Sequence, residues 1–176
     1  MAVEVYVALG SNLGDREAHL DLACTELNKL CVDEHVLRVS SRIETLALVP
    51  AERIEEEQPN YLNAVAHLYT ALEPLALLDA LQAIEATRGR QRSGVPRWSA
   101  RTLDLDLLIY GEQRINTQRL SVPHPLMTQR EFVLQPLAEI APSLEIPGTG
   151  MTASVALERL RVEVARQACH MGGDGS

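Results

Sequence analysis

RTLDLDLLIYG, residues 101–111, is the stretch that most narrows what this chain can fold into. Apolar residues recur at every second position from Leu103 to Ile109, the period of a β-strand. Leu103, Leu105, Leu107 and Ile109 fall on one face, and Thr102, Asp104, Asp106, Leu108 and Tyr110 on the other. A strand this apolar belongs in a core, where a carboxylate is costly unless it is paired or bound to a metal. Asp104 and Asp106 share a face, roughly 6–7 Å apart along the strand. Either they hold metal, or they lie on a partly solvated strand face.

The segments around this strand predict the fold. VEVYVAL, from Val3, alternates and reads as a strand; GSNLGD follows as a turn, with Asp15 placed to cap the helix DREAHLDLACTELNKL. Leu20, Ala23, Leu27 and Leu30 form the apolar stripe of that helix. VLRVSSRIETLAL, from Val36, reads as a second strand, VPAERIEEEQPN as an acidic loop and YLNAVAHLYT, residues 61–70, as a third strand. Pro74 opens a helix for which Gly89 is the expected stop. After the 101–111 strand, residues 115–142 should hold a short strand, a proline-marked loop and a short helix. A last amphipathic helix is expected from Thr152. The order strand, helix, strand, strand, helix, strand is that of an α+β, ferredoxin-like βαββαβ core: an antiparallel sheet with helices packed on it and extra C-terminal elements. Residues 1–168 are expected to form one domain, with 169–176 as a disordered tail.

Composition excludes several classes. A formal net charge of −8 over 176 residues argues against a general nucleic-acid binder. No apolar run approaches membrane length, and the N-terminus lacks a basic region and a cleavage site, so a cytoplasmic protein is expected. Cys24, Cys31 and Cys169 have no metal spacing, and an odd count does not suit a disulfide framework. The acidic average hides a basic cluster: Arg88, Arg90, Arg92, Arg97 and Arg101 are uninterrupted by any acidic residue. Arginine suits bidentate phosphate binding. A cationic cluster directly before two aspartates points to a polyanion and its metal ions at one site. With like charges, Ser93 and Gly94, residues 88–101 are expected to be mobile without ligand and ordered with it.

Three other features carry chemistry. GSNLGD occupies the place of a phosphate loop but has neither the Walker lysine nor the GxGxxG spacing, so a tight turn explains it equally well. Trp98 and Phe132, the only Trp and the only Phe, lie outside apolar runs, as residues that stack on a flat ligand would, although either could cover a loop hinge. His124 stands between two prolines, a rigid placement for a phosphate ligand or proton donor, or for a surface histidine in a turn.

VALGSNLGDR, QPNYLNAV, RWSARTLDLDLLIYG and VPHPLMTQREFVLQPLAEIAP, in this order across residues 5–142, resemble the 6-hydroxymethyl-7,8-dihydropterin pyrophosphokinase family of folate biosynthesis. The resemblance implies the ferredoxin-like fold and transfer of pyrophosphate from ATP to the pterin hydroxymethyl group, with AMP released. It implies that Asp104 and Asp106 ligate two Mg²⁺ ions and that Arg90 and Arg101 act on the phosphates during transfer. Thr45, Tyr61, Asn63, Arg130 and Phe132 would bind the pterin substrate, Tyr61 and Phe132 sandwiching its ring. Leu78, Gln82, Glu85, Arg92, Arg97, Trp98, Leu107, Arg119, Ser121 and His124 would bind ATP. Where the family usually has Gly-Pro before the RTLDLD motif, this chain has Ser99-Ala100. Pro125 follows His124 where several relatives carry Tyr or another large residue. Pterin and ATP are the expected partners of a monomer, with no nucleic acid and no membrane.

Two other classes use the same features. A ferredoxin-like nucleic-acid module would need exposed sheet aromatics and a basic face, which the composition does not supply. A metal-dependent phosphohydrolase would use the same aspartates but release phosphate without pterin.

Overall fold

The computed structural model describes residues 1–32, 34–46, 59–87 and 102–171. β1 runs Val3–Ser11 and α1 Arg16–Asn28. Asp15 caps α1, its carboxylate accepting the Ala18 N–H at 3.0 Å. The second strand is broken into β2 (Arg38–Val39) and β3 (Ile43–Thr45). Ser40 and Ser41 cause the break. The Ser40 hydroxyl accepts the Val65 N–H at 2.9 Å, and Ser41 turns its N–H (2.8 Å) and hydroxyl (2.6 Å) to the Glu139 carboxylate. Serine hydroxyls compete in this way with ladder bonds, which alternation of apolar residues does not reveal.

β4 is Tyr61–Thr70, α2 is Pro74–Ala86 and β5 is Asp104–Tyr110. Gly89 and the arginine cluster of residues 88–101 lie outside the described residues. α2 closes at Thr87, whose hydroxyl donates to the Ile84 carbonyl at 2.7 Å. The hairpin β6 (Ile115–Asn116) and β7 (Ser121–Val122), α3 (Glu131–Ile140), the hairpin β8 (Glu145–Ile146) and β9 (Met151–Thr152), and α4 (Ala153–Met171) complete the chain. α4 runs to Met171, into residues 169–176 for which a disordered tail is expected. Among the described residues no helix is long and apolar enough to cross a membrane.

β2 and β3 pair with one side of β4, β4 with β1, and β1 with β5, all antiparallel. With β2 and β3 counted as one broken strand, this is the ferredoxin-like βαββαβ arrangement of an α+β protein. On one face α1 and α2 pack over Val5, Val7, Leu9, Leu68, Leu105 and Leu107. On the other, α3 and α4 pack over Tyr6, Val65, Leu108 and Ile109.

Strict alternation fails at one point of β5. Val7 pairs with Leu107 and Tyr6 with Ile109, so Leu108 is an extra residue. A bulge of this kind turns over the side chains that follow it. Leu103, Leu105 and Leu107 face α1 and α2 as the sequence predicts. Beyond the bulge Ile109 joins the α3–α4 side and Tyr110 the α1–α2 side, the reverse of expectation for both. Tyr110 is 2% exposed and donates to the Leu72 carbonyl at 2.8 Å. Tyr110→Phe should therefore lower stability by about 1 kcal/mol and leave ligand affinity unchanged. Urea unfolding reads the first and a ligand titration the second. Lost affinity at unchanged stability would return Tyr110 to the aspartate face.

Candidate active site

α3 and α4 leave one end of their sheet face uncovered, and a cleft of about 380 Å³ opens there. Three strands make its floor. β1 contributes Ala8 and Gly10, β4 contributes Tyr61 and Asn63, and β5 contributes Asp104 and Asp106. The pairing is specific: Gly10 stands between Asn63 on one side and Asp104 on the other, and Ala8 is opposite Asp106. These small residues leave the carboxylates room. A Cβ at Gly10 would come within 3.1 Å of the Asn63 amide oxygen. Asn63 is 6% exposed, and its amide donates to the Thr45 hydroxyl at 2.7 Å. That bond ties the end of β3 to the floor.

The walls come from chain that follows the sheet. His124, Pro125 and Leu126 lie after β7, and Arg130 and Phe132 lie at the start of α3. The His124 backbone N–H donates to the Leu108 carbonyl at 2.8 Å, so the bulged residue of β5 also positions this wall. His124 Nδ1 accepts the Leu126 N–H at 3.1 Å, which leaves the proton of the neutral ring on Nε2. Burial pushes the His124 pKa below the ordinary imidazole value; Arg130 pushes the same way and Asp104 opposes. The Arg130 guanidinium lies 5.7 Å from the centroid of Phe132, within cation–π range.

The cleft gathers eight residues singled out in the sequence: Thr45, Tyr61, Asn63, Asp104, Asp106, His124, Arg130 and Phe132. Asp104 and Asp106 are half-buried on the cleft floor. The desolvation cost expected of a core strand is thereby reduced. The other candidates among the described residues do not line the cleft. Leu107 is buried in the α1–α2 core with Leu78 packed against it. Gln82 and the buried Glu85 lie on α2, Ser121 on β7, and Arg119 pairs with Asp79 across an exposed surface. Arg90, Arg92, Arg97, Trp98 and Arg101 lie outside the described residues. Sequence reasoning missed Ala8 and Gly10. Their signal was present as two small residues on one face of β1.

Among the described residues no three His, Cys, Asp or Glu side chains gather as a metal cage. Two carboxylates on an open floor fit a different demand. A hard cation such as Mg²⁺ takes one or two carboxylates, keeps several waters and accepts phosphate oxygens from its substrate.

A family model described as 7,8-dihydro-6-hydroxymethylpterin-pyrophosphokinase (HPPK) matches residues 6–142. The chain is 44% identical over 147 residues to the 2-amino-4-hydroxy-6-hydroxymethyldihydropteridine pyrophosphokinase of Haemophilus influenzae, covering 84% of this chain and 87% of that one. It is 46% identical over 147 residues to the protein of the same name from Pseudomonas aeruginosa, covering 84% and 86%. A solved structure of Plasmodium falciparum HPPK-DHPS with pteroate superposes with a TM-score of 0.70 at 14% identity, covering 96% of this chain and 44% of that one. This chain thus spans less than half of that longer protein, and at such identity the likeness is one of fold. By the extent of the family match and the identity of its relatives, the chain belongs to the 7,8-dihydro-6-hydroxymethylpterin-pyrophosphokinase family, the ATP-using pyrophosphokinases of folate biosynthesis.

Proposed function

We propose that the cleft holds 6-hydroxymethyl-7,8-dihydropterin against Tyr61, Asn63 and Phe132 and turns its hydroxymethyl group toward an ATP triphosphate held over Asp104 and Asp106. The observation that carries this reading is the convergence of two carboxylates, a fixed amide and two aromatic rings in one cleft. The pterin hydroxyl oxygen forms a bond to the β-phosphorus, the bond from that phosphorus to the oxygen bridging it to the α-phosphate breaks, and AMP leaves. The hydroxyl proton leaves to solvent. Such a transfer needs positioning and charge neutralisation rather than a protein nucleophile.

Each residue then has a role. Asp104 and Asp106 would hold two Mg²⁺ ions, which supply countercharge to the triphosphate when bound. Asn63, fixed by Thr45, offers the pterin edge a hydrogen-bonding partner. Tyr61 and Phe132 stack on its faces, and Arg130 supports Phe132. His124, held as the Nε2–H tautomer, can donate to a phosphate oxygen. Among the described residues β5 is one of the two edges of the sheet. A nucleotide laid over Asp104 and Asp106 can pass that edge toward Leu78, Gln82 and Glu85 on the α2 side and toward Arg119 and Ser121 on the β6–β7 hairpin. The resemblance assigns Arg90, Arg92, Arg97 and Arg101 to the same phosphates.

Asp104→Ala and Asp106→Ala should each abolish pterin-dependent AMP release while the ligand-free protein keeps its fold, read by circular dichroism, because both side chains are half-buried at the cleft rather than packed in a core. Full activity of either variant with Mg²⁺ would remove the metal role. Phe132→Ala should weaken pterin binding about 5- to 150-fold, the equivalent of roughly 1–3 kcal/mol of stacking, and change ATP binding little. Separate titrations measure this, and equal losses for both ligands would make Phe132 a packing residue.

His124 adds a pH dependence. Its folded pKa lies below that of the unfolded chain, so the folded state resists a proton that the unfolded state accepts. The ligand-free protein should lose stability as pH falls below about 6.5, the ordinary histidine value. His124→Gln should flatten that part of the curve. An unchanged slope in denaturant unfolding across this range would contradict the environment assigned to the ring.

A further inference from the structure

Ser11 and Asn12, the polar residues that follow Gly10, do not line the cleft and are almost completely withdrawn from solvent, at 0% and 1% exposure. Burying such groups is unfavourable unless each bond they make matters. Among the described residues, each side chain donates to a backbone carbonyl far away in sequence. The Ser11 hydroxyl donates to the Thr102 carbonyl, and the Asn12 side-chain amide donates to the Pro59 carbonyl at 3.2 Å. Arg16 adds a bond to the next carbonyl, that of Asn60, at 2.8 Å.

Both carbonyls stand at strand entrances. Thr102 lies two residues before Asp104, and Pro59 lies two residues before Tyr61. At these points the chain has not yet entered the β-ladder, since pairing with β1 begins at Asp104 on β5 and the register of β4 ends at Tyr61. The ladder alone therefore does not fix the backbone that leads into either set of cleft residues.

We infer that Ser11 and Asn12 are positioning residues that divide the site between them: Ser11 sets the entry to the carboxylate strand, and Asn12 sets the entry to the pterin strand. This inference rests on the proposed reading of the cleft. It makes a prediction that a general stabilising role does not, because the two adjacent residues should damage different substrates. Loss of a bond that orients a ligating side chain from behind typically costs about 10- to 100-fold.

Four proteins test it: wild type, Ser11→Ala, Ser11→Cys and Asn12→Ala, each measured for AMP release, Mg²⁺–ATP affinity and pterin affinity. Wild-type turnover dependent on pterin is the control. Its failure would sink the reading of the cleft, whatever the variants do. Given that turnover, Ser11→Ala should lower kcat and Mg²⁺–ATP affinity roughly 10- to 100-fold with pterin affinity kept. Asn12→Ala should weaken pterin with Mg²⁺–ATP affinity kept. Ser11→Cys, which retains a weak donor, should fall between Ser11→Ala and wild type. Equal losses of both ligands in both alanine variants would overturn the division of labour. If Ser11→Ala does not fold, Ser11→Cys decides: a selective loss of Mg²⁺–ATP affinity supports the inference, and wild-type affinity for both ligands overturns it.

Discussion

The register of β1 between its two neighbours is the constraint on which the site depends. Gly10 faces Asn63 across one ladder and Asp104 across the other. A slip of one residue against β5 would turn that strand over, sending the aspartates into the α1–α2 core and leucines onto the cleft floor, and a slip against β4 would likewise turn Asn63 away from the cleft. The register is held from behind, where Val5, Val7, Leu9, Leu105 and Leu107 are buried together on the face that α1 and α2 cover. The apolar side of each strand thus fixes the geometry of its polar side. Small residues at Ala8 and Gly10 then do what larger ones could not, leaving space in front of two carboxylates and against a buried amide.

The bulge at Leu108 extends this logic to the wall. It lets β5 supply carboxylates to the cleft at its start and bury an aromatic ring on the opposite side at its end. The carbonyl of the same residue holds the backbone of His124. Floor and wall are therefore linked through a single irregularity. The electrostatics follow the same division. On the proposed reading, a protein of net charge −8 would meet a polyanion with locally concentrated cationic groups: Arg130 at the cleft and the arginines that precede β5 in the sequence.

Much of this was legible in the sequence because it follows from periodicity and from side-chain type. The alternation of RTLDLDLLIY placed Asp104 and Asp106 together, YLNAVAHLYT gave β4 with its bounds, and Asp15 marked the start of α1. The departures arise where hydrophobic spacing carries no signal. Ser40 and Ser41 broke a strand through side-chain hydrogen bonds, and the Leu108 bulge reversed Ile109 and Tyr110 through strand pairing. Neither leaves a mark in hydrophobic spacing. α4 outran its expected end because a solvent-exposed helix end has no burial pattern to define it. The cleft residues from β3, the loop after β7 and α3 are distant in sequence. The resemblance, and not periodicity, grouped them; the fold shows that they meet.

The most direct test of the account is the identity of the products. Phosphorus NMR of wild-type protein with Mg²⁺, ATP and 6-hydroxymethyl-7,8-dihydropterin should show AMP and a pterin diphosphate appearing together, with neither formed when pterin is left out. Formation of ADP with a pterin monophosphate, or release of inorganic phosphate without pterin, would contradict it.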